Sequence, residues 1–259
     1  METEKNPVQS ADRIFQVMEV LAENRPMGLQ ELSDCVKLNK STVHRLLNSL
    51  IYMGYARQDA VTGKYAITFK IVNIAGKILE KMDILSIARP YLEKLMENTQ
   101  ETVHLVRRDG IYVSYIDKIE PAMESHGVRM ASYVGLKCPM YCTSVGKAIM
   151  AELSPQEVKE IWEKSVIEKK TEHTVTDFDD LSKELLKVKE CGYATDTEEN
   201  EVGVRCIGAC IMDYEGKTDY AVSISSFVYR MDDARIGDLA KEILATTKDI
   251  SLALGYGRM

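Results

Sequence analysis

Apolar residues recur at helical spacing four times before the chain changes period. Ile14, Val17, Met18 and Leu21 form the first stripe, which begins just after Ser10, a candidate N-cap, and runs out at Asn24-Arg25-Pro26. Leu29, Leu32 and Val36 form a shorter second stripe, and Val43, Leu46, Leu47, Leu50 and Ile51 a third. Only Lys37-Leu38-Asn39 separates the last two, the tight turn that sets two helices at a steep angle. Asn39 is a candidate N-cap for the third helix, and Gly54 a C-terminal glycine. Tyr55-Ala56-Arg57 and Lys64-Tyr65-Ala66-Ile67 flank a polar stretch that ends in Gly63, as in a two-stranded hairpin. This order predicts a winged helix-turn-helix over residues 1–69. The fourth stripe, Ile71, Ile74, Ala75 and Ile78, predicts a linker helix within residues 70–84.

From residue 85 onward helices and strands mix. A helix is expected over 85–98, where Pro90 marks a kink or a fresh start. Period-two alternation then predicts a hairpin of strands 102–106 and 111–116, and another strand over 128–134. Helices follow over 144–153, 154–164 and 177–191; the middle one carries Ser154, Pro155 and Glu157 as cap, first-turn proline and capping-box partner. Strands return over 193–196, 204–212 and 220–225, before a closing helix over 232–254. Adjacent strands joined by short turns imply a largely antiparallel sheet with helices packed on it, and an α+β fold for the chain. Residues 85–259 form the second domain.

A length of 259 residues with 45% hydrophobic composition suffices for two cored domains. The net charge of -7 argues against a nucleic-acid partner only while it is read as one number. Through Tyr65 eight basic residues balance eight acidic ones, so the acidity belongs to the remainder. Between Asp34 and Asp59 there is no carboxylate. On the third helix Ser41, His44, Arg45 and Asn48 lie opposite the apolar stripe, and Lys40, Ser41 and Thr42 occupy the helix start, where free backbone N–H groups suit a phosphate or a base edge. Arg57 and Lys64 sit in the wing. Double-stranded DNA is the partner these residues fit; the bland alternative is the solvated face of an amphipathic helix.

No apolar run is long enough to span a bilayer, and residues 1–9 are charged and polar without a leader's hydrophobic stretch, so a cytoplasmic protein without a membrane partner is expected. The six cysteines do not form a secreted disulfide framework. Cys138 with Cys142 and Cys206 with Cys210 have three residues between them, but no histidine stands beside either pair. Buried or pocket-lining thiols are expected rather than zinc, and no cofactor.

Several separated motifs, in order, carry a family resemblance. The winged helix, the linker helix, Gly135-Leu136-Lys137-Cys138-Pro139-Met140-Tyr141-Cys142-Thr143-Ser144-Val145-Gly146-Lys147-Ala148, then Asp196-Thr197-Glu198-Glu199-Asn200-Glu201-Val202-Gly203-Val204-Arg205-Cys206 and Ser223-Ile224-Ser225 resemble an IclR-type bacterial transcriptional regulator. The resemblance spans nearly the whole chain. It implies a GAF-like effector domain that binds a small organic acid, in a homodimer or a homotetramer built from dimers. It places the effector site on the backbone amides of Ser144 and Val145 and on Asp196, Cys206, Ser223 and Ser225. Ile207-Gly208-Ala209-Cys210 departs from the family pattern in lacking proline. Arg129-Met130, Pro139-Met140-Tyr141-Cys142-Thr143 and Glu198-Glu199-Asn200-Glu201 are similar to the 2-keto-3-deoxygluconate repressor branch.

The implied function is a ligand-responsive repressor. One rival is an enzyme acting on a small keto acid, with Cys206 as nucleophile or Asp196 and Glu199 as an acid/base pair. No histidine joins that cluster by motif, since His104, His126 and His173 come from separate segments. A second rival is a winged helix used for protein contacts.

Overall fold

The computed structural model describes residues 8–79, 83–122 and 130–257. The chain divides into two compact units, Met1–Met82 and Asp83–Met259.

In the first unit, helices α1 (Gln9–Glu23), α2 (Leu29–Val36) and α3 (Lys40–Tyr52) pack around Val17, Leu21, Leu32, Val36, Val43, Leu46, Leu47 and Leu50, all buried. These are the stripe positions, so burial of one apolar face per helix organises the unit. Strands β1 (Ala56–Gln58) and β2 (Tyr65–Ile67) pair antiparallel, and Met27 adds a backbone bridge to Tyr65. Helix α4 (Lys70–Leu79) follows, and the Lys70 ammonium caps the Met53 carbonyl at 2.5 Å while lying over the Tyr55 ring. One cap expectation is met in position and one needs correction. Helix α1 starts ahead of Ser10 with Val8 at the N-cap, and Asn39 holds the α3 N-cap position without a side-chain hydrogen bond.

The second unit is a six-stranded sheet with every neighbouring pair antiparallel, ordered β5-β4-β3-β8-β7-β6. Its strands are β3 (Thr102–Asp109), β4 (Tyr112–Ile119), β5 (Lys137–Pro139), β6 (Ala194–Thr197), β7 (Val204–Ile211) and β8 (Tyr220–Phe227). Helices α5 (Ile84–Thr99) and α9 (Asp233–Ala253) pack on each other and on the strands. Helix α6 (Ser144–Glu152) packs on β7, β8 and β6, backed by α8 (Phe178–Cys191), while α7 (Pro155–Lys164) carries the expected Ser154–Glu157 capping box.

Helix α5 runs unbroken through Pro90, so there is no fresh start. Asp83 caps it by accepting the Leu85 N–H, and Pro90, the seventh of its sixteen residues, removes one backbone bond that the rest of the helix outweighs. The strand expected over 128–134 is also corrected. Residues 123–129 lie outside the described residues, and 130–134 are not strand. The Met130 and Ser132 carbonyls accept from the Lys118 ammonium at 2.9 and 2.7 Å instead of from a neighbouring strand, and Gly135, at φ 97°, turns the chain into β5.

Candidate effector pocket and candidate nucleic-acid face

The side chains of β3, β7 and β8 alternate between two environments. Val103, Leu105, Ile207, Ala209, Val222 and Ile224 are buried and apolar, whereas His104, Cys206, Gly208, Ser223 and Ser225 occupy the alternate positions. The latter set faces α6. Across the sheet Asp196 lies opposite Cys206, Cys206 opposite Ser225, and Ser223 between His104 and Gly208.

Between this face and the start of α6 lies a cavity of about 250 Å³. Ser144, Val145, Asp196, Cys206, Ser223 and Ser225 all line it, so residues spread over eighty positions of sequence meet at one cavity wall. Thr143 caps α6, its hydroxyl accepting the Gly146 N–H at 3.3 Å. The N–H groups of Ser144 and Val145 fall in the first helical turn, where no intrahelical acceptor exists. Two glycines permit this approach. A Cβ on Gly146 would lie 2.3 Å from the Met140 carbonyl oxygen, and one on Gly208 would lie 2.7 Å from the Val145 nitrogen.

Several lining residues carry no motif in the sequence. The imidazole of His104 is buried; Nε2 lies 2.8 Å from the Ser132 hydroxyl, and Nδ1 lies 3.3 and 3.5 Å from those of Ser223 and Ser225. Burial, assisted by the Lys118 charge, lowers its pKa to about 3, so the ring is neutral. Tyr115 stacks edge-on against it at 4.9 Å. Period two along β3 sets His104 on the face opposite Val103 and Leu105, and the polar character of that face emerges only once β3 pairs with β8. His173 sits elsewhere, 3.9 Å from a Glu198 carboxylate oxygen, and His126 lies outside the described residues.

Behind the cavity wall is a buried charge cluster. The Lys147 ammonium, fully buried, donates to Glu184 and Glu199 at 2.5 Å each. Burial opposes its charge, but the two carboxylates outweigh this and raise its pKa. Glu199 is pushed up to about 7 by burial, despite Lys147, and its second oxygen is buried without a hydrogen-bond partner among the described residues. Asp196 accepts the Glu199 N–H at 2.7 Å and the Asn200 N–H at 3.4 Å; burial outweighs these bonds and raises it to about 6.

The thiols of Cys138, Cys142, Cys206 and Cys210 are poorly suited to nucleophilic chemistry. Burial raises the pKa of Cys138 and Cys206, and pushes Cys142 and Cys210 up to about 12, so all four stay protonated at neutral pH. No group of three or more His, Cys, Asp or Glu is arranged to hold a metal among the described residues.

In the first unit Lys40, Ser41, His44, Arg45 and Asn48 are exposed on one side of α3, with Thr42 half-buried beside them. Asn48 lies 3.5 Å from the His44 ring. Arg57 and Lys64 are exposed on the wing, whose turn is tied by Asp59 accepting the Val61 and Thr62 N–H groups and the Thr62 hydroxyl. Among the described residues neither Lys40, Arg45, Arg57 nor Lys64 forms a salt bridge, so these cations remain available to an anionic partner. No described helix is long and apolar enough to cross a membrane.

Comparison with known proteins agrees with both units. Residues 10–60 match the IclR helix-turn-helix domain, and residues 76–252 match the C-terminal domain of bacterial IclR transcriptional regulators. The DNA-binding transcriptional repressor YiaJ of Escherichia coli is 37% identical, over 96% of this chain and 88% of that protein. The E. coli HTH-type transcriptional regulator KdgR is 32% identical, over 99% and 96%. The crystal structure of the Agobacterium tumefaciens repressor BlcR superposes with a TM-score of 0.76 at 26% identity, covering 97% of this chain and 99% of that one. These relatives are regulators, not enzymes. The chain belongs to the IclR family of DNA-binding transcriptional regulators.

Proposed function

We propose that this regulator is a repressor, working in the cytoplasm as a homodimer or homotetramer, whose second unit binds a small organic acid and thereby changes operator affinity. The observation that carries this reading is the cavity itself. It sets two free N–H groups at a helix start against a wall of hydroxyls, a combination that suits a carboxylate at one end and hydroxyl or oxo oxygens at the other. Its volume of about 250 Å³ lies just below the usual range for ligand pockets, which favours a compact acid. The GAF-like domain type implied by the family resemblance suits such a site.

The ligand proposed is a sugar acid such as 2-keto-3-deoxygluconate. Support comes from the motif likeness to that repressor branch and from the number of hydroxyl-bearing residues on the wall. Ser144, Val145, Ser223 and Ser225 bind it in this reading, Cys206 forms a soft wall, and Asp196 orients a ligand hydroxyl. No cofactor or metal takes part.

Lys40, Ser41, Thr42 and Asn48 fix the register of α3 on operator DNA, Arg45 and His44 read base edges, and Arg57 and Lys64 hold the backbone beside the wing. Ligand binding shifts a two-state equilibrium, carried through helix α4, between forms of different operator affinity. A hundredfold release requires a ligand that discriminates between the two forms by at least that factor, about 2.7 kcal/mol.

A thermal-shift screen of sugar acids and plain 2-oxo acids tests the ligand side. A concentration-dependent rise in melting temperature is expected for a sugar acid and should vanish in Ser223→Ala/Ser225→Ala. Stabilisation by no acid at millimolar concentration would remove the effector assignment.

A further inference from the structure

His104 lies inside the cavity at a point where hydrogen-bonding capacity is left over. A neutral imidazole has one N–H donor and one lone-pair acceptor. The Nε2 position is committed to the Ser132 hydroxyl at 2.8 Å. The single remaining nitrogen, Nδ1, faces two hydroxyls, Ser223 at 3.3 Å and Ser225 at 3.5 Å. Whichever tautomer the ring adopts, Nδ1 has a single proton or lone pair to share between the two hydroxyls, and even with Ser225 also meeting the Cys206 thiol, the two hydroxyls lining the cavity have more hydrogen-bonding capacity than these partners take up.

The ring is also held in place. Tyr115 packs edge-on against it, and Ser132 is fixed because its carbonyl accepts from Lys118. The imidazole is therefore a preorganised polar group, not a mobile one. A plain 2-oxo acid whose carboxylate meets the Ser144 and Val145 N–H groups has no oxygen to place against this wall beyond its oxo group. An acid bearing hydroxyls further along its chain does. A buried site built to hydrogen-bond a hydroxyl discriminates strongly against the analogue that lacks it, because the site's own groups are then left unpaired.

We propose that His104, by orienting the Ser223 and Ser225 hydroxyls, is the positioning residue that makes this pocket select a hydroxylated 2-oxo acid over an unsubstituted one. This rests on the effector reading above, and adds to it the residue that sets the ligand class. In that arrangement the Ser132–His104–serine chain gives the wall a hydrogen-bond direction, and a ligand hydroxyl completes the chain at its open end.

The test is calorimetric titration of the full-length protein with 2-keto-3-deoxygluconate and with pyruvate, in wild type, His104→Phe, His104→Gln and Ser132→Ala. The wild type should favour the sugar acid by at least about tenfold, roughly one hydrogen bond's worth of discrimination. His104→Phe keeps the aromatic packing but removes both nitrogens, and should bring the ratio towards one while pyruvate affinity stays within about threefold. His104→Gln, with an amide donor and acceptor, should recover part of the ratio. Ser132→Ala should lower it in the same direction and carries the test if His104→Phe does not fold. An unchanged ratio in the variants, or an equal loss for both acids, would overturn the role of His104 while leaving the pocket assignment intact. A wild type that binds neither acid removes the effector reading and this inference with it.

Discussion

A Cβ placed on Gly208 would sit 2.7 Å from the backbone nitrogen of Val145, which makes strand β7 and the start of α6 a single close-packed unit. Backbone cannot swing aside as a flexible side chain can. Gly208→Ala is therefore expected to lift the first turn of α6 off the sheet, lowering stability by about 1–3 kcal/mol and weakening acid binding at the Ser144 and Val145 N–H groups. Urea unfolding and ligand titration check the two halves separately; an alanine variant with wild-type affinity would show that the α6 start is not the anion site.

The buried carboxyls set a pH dependence of definite sign. Asp196 and Glu199 have folded-state pKa values raised by burial to about 6 and about 7, from the ordinary carboxyl values of 3.8 and 4.5. Between the unfolded and folded values the native state holds protons that the unfolded state has released, so stability falls as pH rises through that window and levels off above it. For Asp196 the full effect is about 3 kcal/mol. Asp196→Asn should gain melting temperature relative to wild type at pH 8 and lose that advantage at pH 5. An anionic ligand beside Asp196 favours its protonated form, so acid binding should also take up protons near pH 7, measurable by calorimetry in buffers of different ionisation enthalpy.

Lys147 lies between Glu184 and Glu199 with no access to solvent. Removing one partner of a buried ionic cluster leaves uncompensated charge, and Lys147→Met should cost about 3–5 kcal/mol. The triple variant Lys147→Met/Glu184→Gln/Glu199→Gln should recover a substantial part of that loss. Denaturant midpoints that show no recovery would mean that Lys147 acts through packing rather than charge.

On the DNA side two substitutions should behave differently. Arg45→Ala should relax base preference within the operator, at a cost of about 1–3 kcal/mol, whereas Lys64→Ala should weaken all duplexes alike and reduce the salt slope by about one. Salt-dependent binding to specific and random duplexes separates the two.

Much of this was readable from local pattern. The stripes Val17–Leu21, Val43–Leu50 and the period-two runs of β7 and β8 each carry their partner surface in their own spacing, and the Ser154 capping box needs only three residues of context. What escaped depends on contacts distant in sequence. His104 acquires its role from Ser223, on a strand paired 119 residues away, and Lys147 from Glu199, 52 residues away. A lysine amid Val145, Ala148 and Ile149 was a visible irregularity, but its partners were not. The strand expected over 128–134 failed because alternation alone cannot show that Lys118 would take the carbonyls of Met130 and Ser132. Pro90 starts no new helix because α5 tolerates one missing N–H when packing on α9 and β3 holds the rest.

The central claim is that one molecule couples the α6 pocket to the α3 face. Fluorescence anisotropy of the full-length protein with a labelled duplex from upstream of its own gene, at one moderate salt concentration, tests it directly. Sequence-preferring binding is expected, weakening at least about tenfold on saturation with 2-keto-3-deoxygluconate, a coupling of about 1.4 kcal/mol. Operator affinity that does not change while the acid is demonstrably bound would contradict it.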